Sequence, residues 1–169
     1  MSFTVQINGD RELISKLVTM PNTVRAALLT KIHELALRLE NKVKVEHLSG
    51  PTGPSSLSVQ TGALRRSVHN QVESTDSSVT GAVYYAPDVP YAGIHEFGGT
   101  INVPEIVPIN AMALHFYTKG GDEVFARRAA AHTVHIPERA PLRTAFAEMK
   151  AEILEGMRSA VMQGLLRGR

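Results

Sequence analysis

Residues 28–43, LLTKIHELALRLENKV, carry the clearest regular pattern in this sequence. Apolar residues recur at three- and four-residue steps and form one stripe: Leu28, Ile32, Leu35, Leu39 and Val43. The charged residues lie off this stripe, and Glu34 and Arg38 are spaced to pair one helical turn apart. The segment is therefore predicted to be a long amphipathic helix packed on a core, with His33 at the surface.

The segments on either side of this helix have different patterns. Before it, Phe3, Val5 and Ile7 alternate with polar residues, which predicts a short strand, and Asp10 is a plausible cap for a helix interrupted at Pro21. After it, residues 49–62 contain three Gly, two Pro, four Ser and no charged residue. Such a composition builds neither a helical stripe nor a strand, so a flexible loop is predicted.

The middle of the chain favours strands. Two hairpins are predicted, over residues 68–85 and 112–126, each with a polar or Gly-containing turn. Between them, residues 91–97 are predicted to form a short turn or helix closed by Gly98 and Gly99. The chain then becomes extended again until Pro104.

The C-terminal segment returns to a helical pattern. Its apolar residues recur at helical spacing after Pro137: Leu142, Phe146, Met149, Ile153, Met157 and Val161. Residues 158–169 contain three Arg and no acid, which makes a small basic tail. The order of elements predicts an α+β fold, a single domain over residues 1–169 in which a long N-terminal helix and a C-terminal helix flank an antiparallel sheet.

Composition narrows the possible functions. The 169 residues are 43% hydrophobic and 20% charged, which fits one globular domain that folds without a disulfide or a metal. The absence of Cys excludes disulfides, thiol catalysis and Cys-based metal sites. A net charge of +2 does not by itself indicate a nucleic-acid binder. No run of about 18 apolar residues predicts a membrane span, and the N-terminus lacks signal-peptide features, so synthesis in the cytosol is expected.

Known catalytic motifs are missing from the sequence. It contains no phosphate loop, dinucleotide fingerprint, Gly-x-Ser-x-Gly elbow, His-Glu-x-x-His or calcium loop, and no enzymatic activity, cofactor or metal is predicted. A metal-dependent hydrolase is an open alternative, with candidate ligands His95, Glu96, His115, His132 and His135. Because residues three apart on a strand face opposite sides, His132 and His135 are instead predicted to be exposed strand residues.

Two arginine pairs offer a second alternative. Arg65–Arg66 and Arg127–Arg128 could contact phosphates, together with the basic tail, in a small nucleic-acid-binding protein. On a strand, adjacent side chains point to opposite faces, so at most one of each pair would serve a given surface. No aromatic residues interleave with them as a stacking platform would need, which favours a solvated face or an intersubunit ion pair.

Residues 91–99, YAGIHEFGG, form the most unusual string in the chain. Read as a simple structural turn, Ile94 and Phe97 pack inward and Glu96 points outward. Read as a functional element, a charged residue beside buried aromatics locks a subunit contact. The local pattern leaves both interpretations open.

Three strings together resemble a known family. Residues 61–67 (TGALRRS), 91–99 and 136–146 (IPERAPLRTAF) stand in the same order as three signatures of tail-completion proteins of long-tailed bacteriophages. The chain also resembles the virion-morphogenesis family of Mu-like phages, in which an Ile-His-x-Phe-Gly-Gly string is common. The resemblance covers about residues 28–146. It departs at residues 139–143, where such proteins usually have Arg-Pro-Phe-Leu-Arg and this chain has Arg-Ala-Pro-Leu-Arg.

The resemblance implies a non-enzymatic virion protein with a curved antiparallel sheet. Such proteins form rings at the head–tail junction, and a homo-hexamer is expected for this chain. Synthesis in the host cytoplasm is expected to precede assembly. The implied partners are the head connector or stopper, the tail terminator and the tail tube, with DNA passing through without specific binding and no membrane. Loop 49–62 would order on docking. The expected subunit or partner contacts are Arg65, Arg66, His95, Glu96, Phe97, Arg139 and Arg143.

Overall fold

The computed structural model describes residues 4–7, 22–118 and 120–167. These residues divide into two compact units. The core unit contains the described residues up to Phe97 and from Glu138 onward, and the strand unit is Gly98–Pro137. The fold is mixed α+β, as the sequence predicts. The helix expected between Asp10 and Pro21 lies outside the described residues.

Two long helices form the frame of the core unit. Helix α1 is Asn22–Lys42 and continues into a π-helical turn, Val43–His47. Helix α4 is Pro141–Arg167, and it includes the described part of the predicted basic tail. The stripe predicted for α1 is buried at Ile32, Leu35 and Leu39, whereas His33 is exposed, as expected.

Helices α1 and α4 approach closely at one glycine. A Cβ on Gly164 of α4 would lie 2.5 Å from the Cα of Val24 on α1. A glycine therefore allows the two backbones to meet there. Gly156, two turns earlier, would place a Cβ 3.3 Å from a flexible atom, Leu35 Cδ1.

A three-stranded antiparallel sheet packs on α1. Strand β3 (Val79–Tyr85) lies between β1 (Thr4–Ile7) and β2 (Val68–Ser74), and the predicted hairpin pairs Val68 with Tyr85. Every second residue of β3 is buried, which is the period of a strand with one face on a core. Its inward side chains join a hydrophobic cluster that includes Leu35, Leu39, Val83, Leu142 and Met149.

Two short helices complete the core unit. They are α2 (Ala63–Arg66) and α3 (Ala92–Phe97). Arg65 and Arg66 therefore lie on a helical turn, and the strand geometry assumed for this pair is wrong, because Gly62 at φ 74° starts a helix here. Residues 49–62 contain no helix or strand. Gly98, at φ 68°, follows α3 in the left-handed conformation that ends helices.

The strand unit consists of two antiparallel pairs. Strand β4 (Gly99–Val103) pairs with β7 (His132–Ile136), and β5 (Leu114–Tyr117) pairs with β6 (Glu123–Ala126). The second predicted hairpin is thus confirmed. The strands of the described chain form three small sheets, because those after residue 98 pair only with one another. His132 and His135 are exposed, as expected.

Candidate subunit-contact site

The carboxylate of Glu96 is the centre of the candidate site. Glu96 is fully buried at the end of α3. Its Oε1 accepts a hydrogen bond from the backbone N–H of Arg143 at 2.9 Å, and its Oε2 accepts one from that of Leu142 at 3.2 Å. These N–H groups belong to the first turn of α4, where backbone N–H groups lack carbonyl partners within the helix. Glu96 therefore caps α4 from another element, and its negative charge lies at the positive end of the helix dipole.

The sequence before α4 explains why a distant acceptor is needed. Pro141 begins the helix, where its missing N–H costs nothing. The preceding residue is Ala140, whose methyl group cannot accept a hydrogen bond. Ala140 also has φ 46°, an uncommon value for a residue with a Cβ. The conformation that starts α4 is therefore stabilised from outside, by Glu96.

Arg143 links this buried carboxylate to the surface. Its Nε lies 3.4 Å from Glu96 Oε1 and its Nη2 lies 2.7 Å from Glu138 Oε1; Nη2 also donates to the Glu96 backbone carbonyl. The guanidinium carbon lies 4.9 Å from the centre of the Phe97 ring, a cation–π distance. Phe97 is 51% exposed, so this pair is part of the accessible surface.

This arrangement corrects the burial expected from the 91–99 string. Glu96, predicted to point outward, is buried, and Phe97, predicted to pack inward, is exposed; Ile94 is half-buried. The physical reason is the uncapped start of α4, which a buried carboxylate satisfies. The available signal was an Ala-Pro pair that opens a helix without a capping side chain.

The Tyr85 hydroxyl and the His95 backbone carbonyl also contribute to this site. The Tyr85 hydroxyl lies 3.5 Å from Oε2, and burial together with this carboxylate raises the pKa of Tyr85 well above its usual range. The backbone carbonyl of His95 accepts hydrogen bonds from Arg139 N at 3.0 Å and Ala140 N at 3.1 Å. The start of α4 is thus held by both the side chain of Glu96 and the backbone of its neighbour.

The His95 ring, unlike its backbone carbonyl, makes few polar contacts. Its Nδ1 is buried and makes no hydrogen bond, and the ring contacts Tyr91 edge-on at 6.1 Å between centroids. Burial lowers the pKa of His95, and the positive charge of Arg139 acts in the same direction. The neutral imidazole is therefore favoured in the folded protein.

The loop predicted to be flexible is tied to this site by several hydrogen bonds. The Arg139 guanidinium donates to the Gly53 carbonyl. Arg65 donates to Ser49 Oγ at 3.0 Å, and Arg66 donates to the Thr61 carbonyl at 3.2 Å. A cavity of about 250 Å³ lies between this loop and α2, with Tyr91 and His95 in its wall.

The predicted contact residues thus lie around one region of the core unit. His95, Glu96, Phe97, Arg139 and Arg143 contact one another directly or through the backbone. Arg65 and Arg66 are exposed at the neighbouring cavity wall and loop. Two of these residues, Glu96 and His95, make their hydrogen bonds within the core unit.

The residues considered for a metal site or for phosphate contacts lie elsewhere or do not form the expected group. Among the described residues, the group of three His or acidic side chains close enough to share an ion is Glu46, His47 and Glu148, and none of the five ligands proposed from sequence belongs to it. No sequence pattern indicated this group, because Glu148 lies about 100 residues after Glu46 and His47. In the strand unit, Arg128 pairs with Glu105 at 3.3 Å.

Comparisons with known proteins identify no relative of this chain. No protein-family description, curated protein or solved structure matches this chain significantly. In the part of the chain that the structure describes, every helix is too short or too polar to cross a membrane.

Proposed function

We propose that this chain is a structural virion protein of a tailed bacteriophage, a tail-completion or neck subunit. In this proposal, copies of the chain form a six-fold ring between the head connector and the tail terminator and tube. DNA passes through the ring without specific binding. The role is non-enzymatic and needs no cofactor.

The burial pattern of the strand unit is the observation that supports the proposal most. No described residue between Gly98 and Pro137 is buried. Ile109 and Met112 are 92% and 98% exposed, and Tyr117 and Phe125 are also exposed. A segment of this length without a core needs oligomerisation, a metal or disulfides for stability, and apolar surface of this kind marks interaction sites. A neighbouring subunit would cover it.

The arrangement of the three family-like strings gives independent support. Residues 91–97 and 138–146 are joined by the Glu96 cap, and residues 61–65 share a cavity wall with Tyr91 and His95. Segments far apart in sequence therefore build one feature. Its exposed part carries Arg65, Arg66 and the Phe97–Arg143 pair, which suits one side of a head-to-tail ring contact.

The net charge of the chain is compatible with this role. A value of +2 over 169 residues gives little general attraction for phosphates. Strong binding to DNA depends on many simultaneous phosphate contacts. A nearly neutral ring wall would let DNA slide past.

Assembly can be tested with a matched pair of variants. We expect the full chain to form a ring, alone or on addition of purified tail tubes, by size-exclusion chromatography with light scattering, and to be found by mass spectrometry in purified virions. The double variant Ile109→Asp with Met112→Asp should lose assembly. Leu166→Asp, at an exposed apolar position on α4, is the control and should retain it. A chain that stays monomeric with tails and is absent from virions would refute the proposal.

A further inference from the structure

Three side chains able to bind a metal converge where α1 ends. The π-helical turn Val43–His47 brings Glu46 and His47 beside Glu148 on α4. One ligand atom from each lies within 4.8 Å of the others. π-helical turns are rare and are frequently found at functional sites.

A backbone carbonyl fixes one nitrogen of the His47 ring. Its side chain is 6% exposed, and Nδ1 lies 2.9 Å from the Ser55 carbonyl oxygen. Because a carbonyl only accepts, Nδ1 carries a hydrogen, and in the neutral ring Nε2 then presents its lone pair, as a metal ligand must. Backbone carbonyls orient metal-binding imidazoles in this way.

The Nε2 atom of His47 faces the carboxylate without a hydrogen bond. It is buried and has no hydrogen-bond partner, although it lies only 3.4 Å from Glu148 Oε2. In that tautomer two lone-pair atoms face each other at close range. The arrangement is favourable only with a positive charge between them or a proton on Nε2.

Lys42 supplies positive charge to the two carboxylates but not to the imidazole. Its Nζ lies 2.5 Å from Glu46 Oε2 and 3.0 Å from Glu148 Oε2. The long, flexible lysine side chain can turn to solvent when another cation arrives.

We propose that Glu46, His47 and Glu148 form a binding site for a divalent transition-metal ion of the zinc type, for which Lys42 competes. Zinc takes His nitrogen and carboxylate oxygen at about 2.0–2.2 Å, so tetrahedral ligand atoms lie about 3.4 Å apart. The His47–Glu148 pair already has this separation. Both carboxylates are about half exposed and can adjust, and water can complete the shell. The ion joins the end of α1 to α4.

Zinc titration of the full chain tests this site. After dialysis against a chelator, calorimetry at pH 7.5 should show one zinc ion bound per chain. Glu148→Gln should weaken binding at least about tenfold, because it removes a ligand. Glu152→Gln is the control: it lies one turn further on α4, pairs with Arg38 and is outside the group, so affinity should stay within about twofold.

The Lys42→Gln variant best distinguishes a metal site from a purely structural cluster. Because it removes the competing ammonium, zinc affinity should rise several-fold, whereas a purely structural role for the cluster predicts no gain. Cobalt in place of zinc should give visible absorption bands in wild type and in Lys42→Gln but not in Glu148→Gln. Glu46→Gln, at an exposed position, repeats the ligand test if Glu148→Gln fails to fold.

Three outcomes would overturn the proposal. The first is no zinc binding by the wild-type chain at about 1 mM zinc, with His47 instead protonated on Nε2 and paired with Glu148. The second is an equal loss in Glu148→Gln and Glu152→Gln, which would place the ion elsewhere. The third is weaker binding by Lys42→Gln.

Discussion

The core unit and the strand unit differ in how their residues are held. In the core unit, side chains from α1, the three-stranded sheet and α4 form one buried cluster, and a fully buried carboxylate caps α4. In the strand unit, antiparallel ladders are present but no described residue is buried. Backbone hydrogen bonds alone contribute little net stability. The core unit therefore has a hydrophobic core of its own, whereas the described residues of the strand unit form none.

Removing the Glu96 cap should have the largest effect on the core unit. Glu96→Gln replaces a carboxylate, which has two acceptor oxygens, with an amide that has one, so the first turn of α4 and Arg143 lose an acceptor. We expect a loss of about 3 kcal/mol in the free energy of unfolding, which lowers Tm by about 6–12 °C. Thermal and urea denaturation would measure it.

Glu138→Gln is the matched control for that prediction. Glu138 pairs with the same Arg143, but it is exposed. Its loss should cost less than about 1 kcal/mol. Equal effects of the two variants would contradict the role given to Glu96.

The two glycines of α4 test the close contact between helices. Gly164→Ala places a methyl group against the Val24 backbone, which cannot move independently, and should destabilise the core unit by about 1–3 kcal/mol. Gly156→Ala meets only flexible side-chain atoms and should be neutral or stabilising by up to about 1 kcal/mol. Chemical denaturation of both variants checks the contrast, and the opposite order would show that α1 and α4 do not meet as described.

Acidification should weaken the core unit through His95. Burial, reinforced by Arg139, lowers the pKa of His95 in the folded state, so the unfolded chain binds the proton first as the pH falls. The contribution of His95 is therefore fully present above its unfolded pKa of about 6.5 and is lost as the pH falls through and below that value. Wild type should lose more unfolding free energy between pH 7.5 and pH 5.5 than His95→Gln. Identical losses would show that burial does not perturb this group.

Substitutions in the strand unit should have the smallest effect on stability. Ile109→Asp with Met112→Asp changes two exposed side chains, so the unfolding free energy of the monomer should change by less than about 0.5 kcal/mol. The same variant should lose assembly, as proposed above. A large loss of monomer stability would mean that these side chains already have a buried environment.

The regular elements of this fold are predictable from sequence because their patterns are local. The stripe around Leu35 indicates a helix and its buried face, and the composition of residues 68–85 indicates a hairpin; the structure confirms both. The division into three sheets depends on which strands pair, and the residues of one strand do not determine that.

The candidate site was harder to predict because its contacts are long-range. Family-like strings drew attention to residues 91–99 and 136–146, but the burial of Glu96 depends on Ala140 and Pro141, more than 40 positions away. The Glu46–His47–Glu148 group likewise forms only when α4 packs on the end of α1. The local sequence pattern does not indicate which distant segments will come into contact.

Hydrogen–deuterium exchange of the free and assembled chain tests whether the strand unit is stabilised by assembly. In the free chain, we expect amides of α1, β3 and α4 to be strongly protected and those of β4 to β7 to exchange rapidly, because local stability follows buried contact. In the ring, the strand unit should gain protection. Equal protection of both units in the free chain would contradict the account.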